Sequence, residues 1–240
     1  MKLSIIIPVF NEEKTILEVL QKVIAVTIPG ITKEIIIIND GSIDKTAEKV
    51  TSFLKKEKLK NISFTQHKKN AGKGATVITG IRKATGDYIV IQDADLEYDP
   101  KFLKELVQPI LLKKADIVYG TRLKRLPHFT KEEKNLQFLL HYIGNRFLSL
   151  VTSVLYGTWI TDMETCYKLF PRNALQHLAI HAKGFAFEPE ITAKLLKLHL
   201  RVIELPIETV PRNYEEGKKL VAMKDGPIAL WTLLKYRFTD

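Results

Sequence analysis

Tyr88-Ile89-Val90-Ile91 is an unbroken apolar run, and after Gln92 it meets Asp93-Ala94-Asp95, two carboxylates one residue apart. Four β-branched or aromatic residues in a row predict a buried strand. Two carboxylates at the end of a strand make a hard oxygen site, suited to Mg²⁺ or Mn²⁺ carrying phosphate oxygens. Glu97 follows two residues later and can join them. The plainer alternative is an acidic loop before a helix, because Asp99-Pro100 has the form of an N-cap and a first helical residue.

Working outward, strand-like and helix-like segments alternate. Leu3 to Val9 is a first strand, and Asn11-Glu12-Glu13 is expected to cap the helix after it. Ile35-Ile36-Ile37-Ile38 is a second strand, closed by the turn Asn39-Asp40-Gly41-Ser42. Asp44 is placed to cap a helix through Val50 and Leu54, and Ile62 to Gln66 is a third strand. Gly72-Lys73-Gly74 opens a helix that ends near Ala84. The strand at Tyr88 is followed by a helix from Pro100 to Leu112 and a strand from Ile117 to Gly120. This alternation predicts an α/β fold with a mainly parallel central sheet flanked by helices. Ligands bind such sheets outside the carboxyl ends of the strands. Asn11, Asp40, Asn70 and Asp93 all fall there, which argues for one shared site.

The second half changes character. Residues 132–156 predict a long helix with Leu136, Leu139, Leu140, Ile143, Phe147, Leu150, Val151, Val154 and Leu155 on an apolar face. Its polar face carries Gln137, His141, Asn145, Arg146, Ser149 and Thr152. A short strand is expected over Cys166 to Phe170, a helix from about Pro189 to His199 and a strand from Arg201 to Val210. A polar loop, Pro211 to Asp225, then leads to a last helix, Ile228 to Phe238.

The chain has 240 residues, 45% hydrophobic and 27% charged, which suits a globular protein with a full core. Cys166 is its only cysteine, so no intrachain disulfide can form and a cytoplasmic setting is expected. The formal charge of +10 favours anionic partners, among them nucleotides and phospholipid headgroups. No basic and aromatic stripe is visible, so no nucleic acid is expected. The first residues are too short an apolar run for a leader, and nowhere do ~18 uncharged apolar residues follow one another.

Several motifs are absent. Lys73 is followed by Gly74, not Ser or Thr, so the glycine turn is no P-loop. His177 and His181 have no third partner at zinc spacing. Asp162 and Glu164 flank Met163 before the Cys166 strand, and a carboxylate there is either a general base or a turn acid. Arg212, Lys218 and Lys219 lie in the late polar loop, where they either fold over a diphosphate or stay solvated.

Taken in order, these segments resemble family 2 glycosyltransferases of the GT-A fold. The resemblance runs through Ile6–Glu13, Asn39–Ser42, Asn70–Gly74, Asp93–Asp95, Gly120-Thr121-Arg122, Asp162–Lys168 and the loop from Arg212 to Lys218, and so covers nearly the whole chain. It implies a single Rossmann-like GT-A domain over 1–240, with a nucleotide-binding half, 1–122, and an acceptor-side half, 123–240. Within the family the chain is most similar to polyprenyl-phosphate sugar synthases of the dolichyl-phosphate mannose or glucose type.

The resemblance implies roles. Pro8, Phe10, Glu12, Ile38 and Asp40 would hold the nucleoside. Asp93, Ala94, Asp95 and Glu97 would hold Mg²⁺ or Mn²⁺ and the diphosphate. Arg122 would meet the acceptor or donor phosphates, and Arg212 and Lys218 would close over the diphosphate. The partners implied are a nucleotide-diphosphate sugar and a polyprenyl-phosphate acceptor, with peripheral contact at the cytoplasmic face of a membrane and scope for a homo-oligomer. Phe10 stands where mannosyl members often have Tyr, and Glu97 where they often have Gln. The stretch Cys166–Phe170 is more like glucosyl-type members, so the donor stays open between UDP-glucose and GDP-mannose types. A phosphate acceptor is already ionised at neutral pH, since its second pKa is about 6, and needs no strong base. A hydroxyl acceptor would need one, and Asp162 is then the candidate. A transferase acting on a glycan hydroxyl and a non-catalytic nucleotide-sugar-binding protein are the alternatives.

Overall fold

A computed structural model of the protein describes residues 1–122, 136–175, 179–182, 184, 186–210 and 222–239. Seven strands form one sheet: β1 (Lys2–Val9), β2 (Thr32–Asn39), β3 (Ile62–Gln66), β4 (Tyr88–Ile91), β5 (Ile117–Thr121), β6 (Lys168–Pro171) and β7 (Val202–Pro206). Their order across the sheet is β3-β2-β1-β4-β6-β5-β7. β1, β2, β3 and β4 pair in parallel, as do β5 and β7, while β6 runs antiparallel to both β4 and β5. The mainly parallel α/β sheet expected from the sequence is therefore present, with one reversed strand. That strand comes from the second half of the chain and lies between two strands of the first half.

β1 and β2 are apolar without alternation because both faces of the sheet are covered. Ile5, Ile6, Ile7, Ile35, Ile36, Ile37 and Ile38 are all buried. The covering helices are α1 (Ile16–Ala25), α2 (Thr46–Glu57), α3 (Lys73–Lys83) and α4 (Leu103–Leu111). α1 buries Ile16, Val19, Leu20 and Val23, the 3.6-residue stripe of a surface helix. A Cβ on Gly80 of α3 would stand 2.4 Å from Ile6 of β1, so only glycine allows this close packing of helix on strand.

Three further helices, α5 (Leu136–Tyr156), α6 (Phe187–Lys197) and α7 (Ala222–Phe238), share a second, smaller core. Leu148, Tyr156, Ile160, Met163, Leu196, Leu233 and Tyr236 meet there, and the Tyr156 hydroxyl donates to the Leu233 carbonyl at 2.7 Å.

Five sequence expectations are corrected here. The sixth strand starts at Lys168, because Thr165 and Cys166 are spent on contacts with Gly120 and Tyr98. The seventh strand ends at Pro206, not Val210, and α6 begins at Phe187. The last helix starts at Ala222 and runs through Gly226 and Pro227, which the sequence places before it. The largest difference is in α5. Its apolar residues Leu139, Leu140, Ile143, Phe147, Leu150 and Val154 face outward, and its buried side is Leu148, Ser149, Thr152, Ser153 and Tyr156.

Candidate active site

Sheet order makes the ends of β2, β1 and β4 neighbours, and their loops are tied together by hydrogen bonds. Asn11, at positive φ after β1, does not cap α1. Its backbone N–H donates to Ser42 Oγ at 2.9 Å and its Oδ1 accepts from the Ile43 N–H at 2.9 Å. The Glu12 N–H donates to Thr46 Oγ1 and the Glu13 N–H to Asp44 Oδ2. Thr15 Oγ1 donates to the Ala94 carbonyl at 2.7 Å and to Glu12 Oε2 at 2.9 Å, joining the first loop to the Asp93-Ala94-Asp95 loop.

Asp40 is buried at the end of β2. Oδ1 accepts from the Ala71 N–H and faces His67 Nδ1 at 2.7 Å, and Oδ2 accepts from the Gly72 N–H. It fastens the turn that opens α3. Gly41 beside it has φ +70° and lies so close to Lys69 that a Cβ would fall 2.7 Å from that residue's carbonyl carbon. Pro8 and Phe10 are half-buried at the mouth of β1, and Ile38 is fully buried in β2.

Asp93 and Asp95 are both half-buried. Asp93 Oδ2 accepts from Lys73 Nζ at 3.0 Å, and Asp95 Oδ1 accepts from the Glu97 N–H at 3.1 Å. Lys73 also lies 3.5 Å from Glu188 Oε1, and Glu188 Oε2 is 2.6 Å from Lys168 Nζ. An alternating chain, Asp93–Lys73–Glu188–Lys168, thus runs under the loop from α3 to α6 to β6. Burial opposes the Lys73 charge, but Asp93, Cys166 and Glu188 hold its pKa well above the ordinary lysine value. Burial pushes the Cys166 thiol up, with Asp93 adding to it, so this cysteine is inert.

The loop is shaped from below by aromatic rings. Tyr167 donates to Gln92 Oε1 and to the Asp99 carbonyl, and Gln92 Nε2 donates to the Asp93 and Tyr98 carbonyls. The Tyr98 and Tyr167 ring centres are 4.9 Å apart. Among the described residues no three carboxylate, imidazole or thiol side chains converge as a metal cluster, and Asp93, Asp95 and Glu97 do not form one. This donor set fits a cation that brings most of its ligands with it. Mg²⁺ in particular is held by one or two carboxylates plus substrate phosphates, not by a protein cage.

Arg122 follows β5, and its guanidinium lies over the Tyr98 ring at 5.8 Å. Nε and one NH2 group of Arg122 donate to Asp162 Oδ2 and Oδ1, each at 2.8 Å, and the Arg122 backbone N–H donates to Oδ2 at 2.9 Å. Asn145 Nδ2 of α5 donates to Oδ1 at 2.7 Å. Burial pushes the Asp162 pKa up and the Arg122 charge pulls it down, and the pull wins.

Two further residues position the turn that carries Asp162, Glu204 with no signal in the sequence and Ser149 visible there only as part of the polar face of α5. Glu204 of β7 accepts from the Thr161 and Asp162 backbone N–H groups, and Ser149 of α5 accepts from the Met163 N–H. Glu164 is half-buried on the same turn, and its pKa is raised to about 7. Burial is the main cause, Glu188 and Asp162 add to it, and Lys168 and Arg122 oppose it.

Arg212 and Lys218 lie outside the described residues, as do Lys219 and His177. The last described residues before Arg212 lie beside the acidic site, because the Val210 N–H donates to the Glu97 carbonyl at 3.1 Å and Thr209 bridges Tyr98.

Comparison with known proteins agrees with this geometry. The pattern defining glycosyl transferase family 2 matches residues 4–179. The chain is 31% identical over 230 residues to the UDP-N-acetylglucosamine–dolichyl-phosphate N-acetylglucosaminyltransferase of Methanococcus voltae, covering 89% of this chain and 88% of that one. It is 32% identical over 219 residues to the dolichyl-phosphate β-glucosyltransferase ALG5C of Trichomonas vaginalis, covering 85% and 63%. Among solved structures, glucosyl-3-phosphoglycerate synthase from Mycobacterium tuberculosis, in complex with Mn²⁺, UDP and glucosyl-3-phosphoglycerate, superposes with a TM-score of 0.70 at 19% identity. The match covers 98% of this chain and 79% of that one. The sheet, the acidic loop at its carboxyl edge and these matches together make the chain a glycosyltransferase of the GT-A fold, and it belongs to glycosyl transferase family 2.

Proposed function

We propose that the protein transfers a hexose from a nucleotide-diphosphate sugar to a polyprenyl phosphate, with inversion, by a single displacement at the anomeric carbon. The observation that carries this reading is the state of Asp162. Among the described residues, its carboxylate accepts from Arg122 and Asn145, and its pKa is depressed. A carboxylate so held is a poor proton acceptor. It suits a nucleophile that arrives ionised, as a phosphate monoester does. The dolichyl-phosphate enzymes among the relatives support the same acceptor.

On this reading the loops after β1 and β2 seat the nucleoside through Pro8, Phe10, Glu12, Ile38 and Asp40. Asp93 and Asp95 hold Mg²⁺ or Mn²⁺ with the donor diphosphate, and Glu97 stands beside them. A bound divalent cation supplies neutralisation of the charge that builds on the departing diphosphate. Lys73 holds the Asp93 carboxylate in place. Arg122, anchored by Asp162, turns its remaining N–H groups toward the acceptor phosphate. Arg212 and Lys218, which follow Val210 in the chain, would add positive charge over the diphosphate.

Glu164 favours a second reading, a hydroxyl acceptor. A carboxylate with a pKa of about 7 is matched to general-base work at neutral pH. The deciding experiment offers UDP-glucose, UDP-N-acetylglucosamine and GDP-mannose with polyprenyl phosphate or the matching polyprenol, using the wild type and Glu164→Gln. Transfer to the phosphate alone, with Glu164→Gln within about tenfold of wild type at pH 8, supports the first reading. Transfer to the alcohol, lost by a factor of about 10²–10⁴ in Glu164→Gln, supports the second.

A further inference from the structure

Helix α5 is turned with its polar side to the protein. Leu139, Leu140, Ile143, Phe147, Leu150 and Val154 are between 42% and 76% exposed, a continuous stripe along the outside. An outward face of this kind marks a contact surface. We propose that this face of α5 lies flat on an anionic lipid surface, a deepening that rests on the lipid-phosphate acceptor proposed above.

Charge selects the occupant. α5 carries one formal charge, Arg146, which is exposed, and has no Asp or Glu in its 21 residues. The whole chain is +10. A second copy of the same face would bury Arg146 against another α5 that offers no carboxylate, at a desolvation cost. Anionic headgroups supply a counter-charge to Arg146.

Aromatic placement agrees. Both tryptophans of the chain are in solvent: Trp159, just past the end of α5, is 72% exposed, and Trp231, on the outward side of the adjoining α7, is 68% exposed. Indole rings favour the headgroup level of a bilayer. α7 adds Ile228 and Phe238 to its outward side. No helix among the described residues is long and apolar enough to cross a membrane, so the helix lies along the surface.

The geometry also explains why α5 is the docking element. Its inner side gives Asn145 to Asp162 and Ser149 to Met163. The width of one helix, about 10 Å, therefore separates the lipid-facing stripe from the acceptor side of the site.

The test uses the full chain and the double variant Phe147→Glu/Leu150→Glu, both at exposed positions outside the proposed machinery. Flotation with phosphatidylcholine vesicles, with and without phosphatidylglycerol, is read alongside tryptophan emission. The expected result is flotation and a blue shift with the anionic vesicles only, weakened about tenfold or more in the variant. Transfer to a short, water-soluble isoprenyl phosphate should stay at wild-type rate. Flotation equal in wild type and variant overturns the proposal, and so does no flotation at all. A dimer in sedimentation that the variant dissociates, without vesicle binding, also overturns it and gives the face to a second copy. Vesicle binding that the variant abolishes, with no transfer to any acceptor, leaves the docking face standing and removes the proposed function.

Discussion

Arg122 holds Asp162 from three directions, with Nε, an NH2 group and its own backbone N–H all within 2.9 Å of the carboxylate. The pair joins the end of β5 to the turn before β6, and Asn145 locks it from α5. It is an anchored charge pair with one open side, since the Arg122 side chain is 27% exposed while Asp162 is fully buried. Such an arrangement orients a guanidinium toward an anion.

The first prediction follows from that division of labour. Asp162→Asn keeps the shape of the side chain and removes its charge. Transfer to polyprenyl phosphate should fall by no more than about tenfold, because no proton has to be taken up. Asp95→Ala removes a proposed metal ligand and should lower the rate by about a thousandfold. Parallel initial-rate measurements decide it, and equal losses in the two variants would sink the no-base argument. Asp162→Asn should also destabilise the fold by about 3 kcal/mol, since it leaves the Arg122 charge without its partner.

Glu164 makes a pH-dependent contribution of the opposite kind to an ordinary salt-bridged carboxylate. Its pKa is about 7 in the fold against an ordinary 4.5. The folded state therefore holds the proton more tightly, and stability falls as pH rises from 4.5 through 7. Glu164→Gln should raise the melting temperature at pH 8, by about 1–3 kcal/mol of stability, and change little at pH 4.5. Thermal unfolding at the two pH values checks this. A variant no more stable at pH 8 than the wild type would show that Glu164 is solvated.

Glu34, at the opposite end of the sheet, gives the ordinary sign. Burial pushes its carboxyl up, but Lys2, Ser4 and Thr85 bring it down to about 2. Its stabilisation is complete above pH 4.5 and is lost as pH falls from there toward 2. Glu34→Gln should cost about 2–3 kcal/mol at pH 7. Acid titration of stability should show the two proteins converging near pH 2, and a gap that stays constant would refute the linkage.

Donor and metal binding are expected to be coupled. On the proposed reading the half-buried Asp93 and Asp95 are an incomplete ligand set that a diphosphate would complete. At 100 times its dissociation constant a ligand stabilises the fold by about 2.7 kcal/mol, or about 5–10 °C for a chain of this size. UDP or GDP should give that shift with Mn²⁺ present and lose most of it with a chelator. The nucleotide that gives the larger shift names the donor class. Full shifts without any divalent cation would remove the metal from the site.

Much of the fold is legible in the sequence. β1, β2 and β4 are plain because strands covered on both faces need uninterrupted apolar residues, as Ile5–Ile7 and Ile35–Ile38 show. The placing of Asn11, Asp40 and Asp93 at strand ends follows from the same segmentation. Other features have no local signal. Nothing in Lys168–Pro171 says that this strand is reversed and sits between β4 and β5. Glu204 has no distinguishing neighbours in sequence, yet it carries the turn that presents Asp162. For Glu164 the spacing is visible and the environment is not.

α5 states the boundary most clearly. Its 3.6-residue period means that one side is apolar and the other polar, because side chains three and four apart share a face. Which side meets the protein was decided by tertiary partners. The turn at Thr161–Glu164 has backbone N–H groups to satisfy, and Asn145, Ser149 and Ser153 supply acceptors to that turn and to Ile160 beside it, so the polar side turned inward. The sequence by itself determined an α/β fold with a mainly parallel sheet and carboxylates at its binding edge, because local pattern and strand-end position suffice for that. Only the tertiary structure decided that Asp162 is an anchor, that Glu164 is the carboxylate with a raised pKa, and that an apolar helix face is left outside. Those depend on charges and packing brought together from distant parts of the chain.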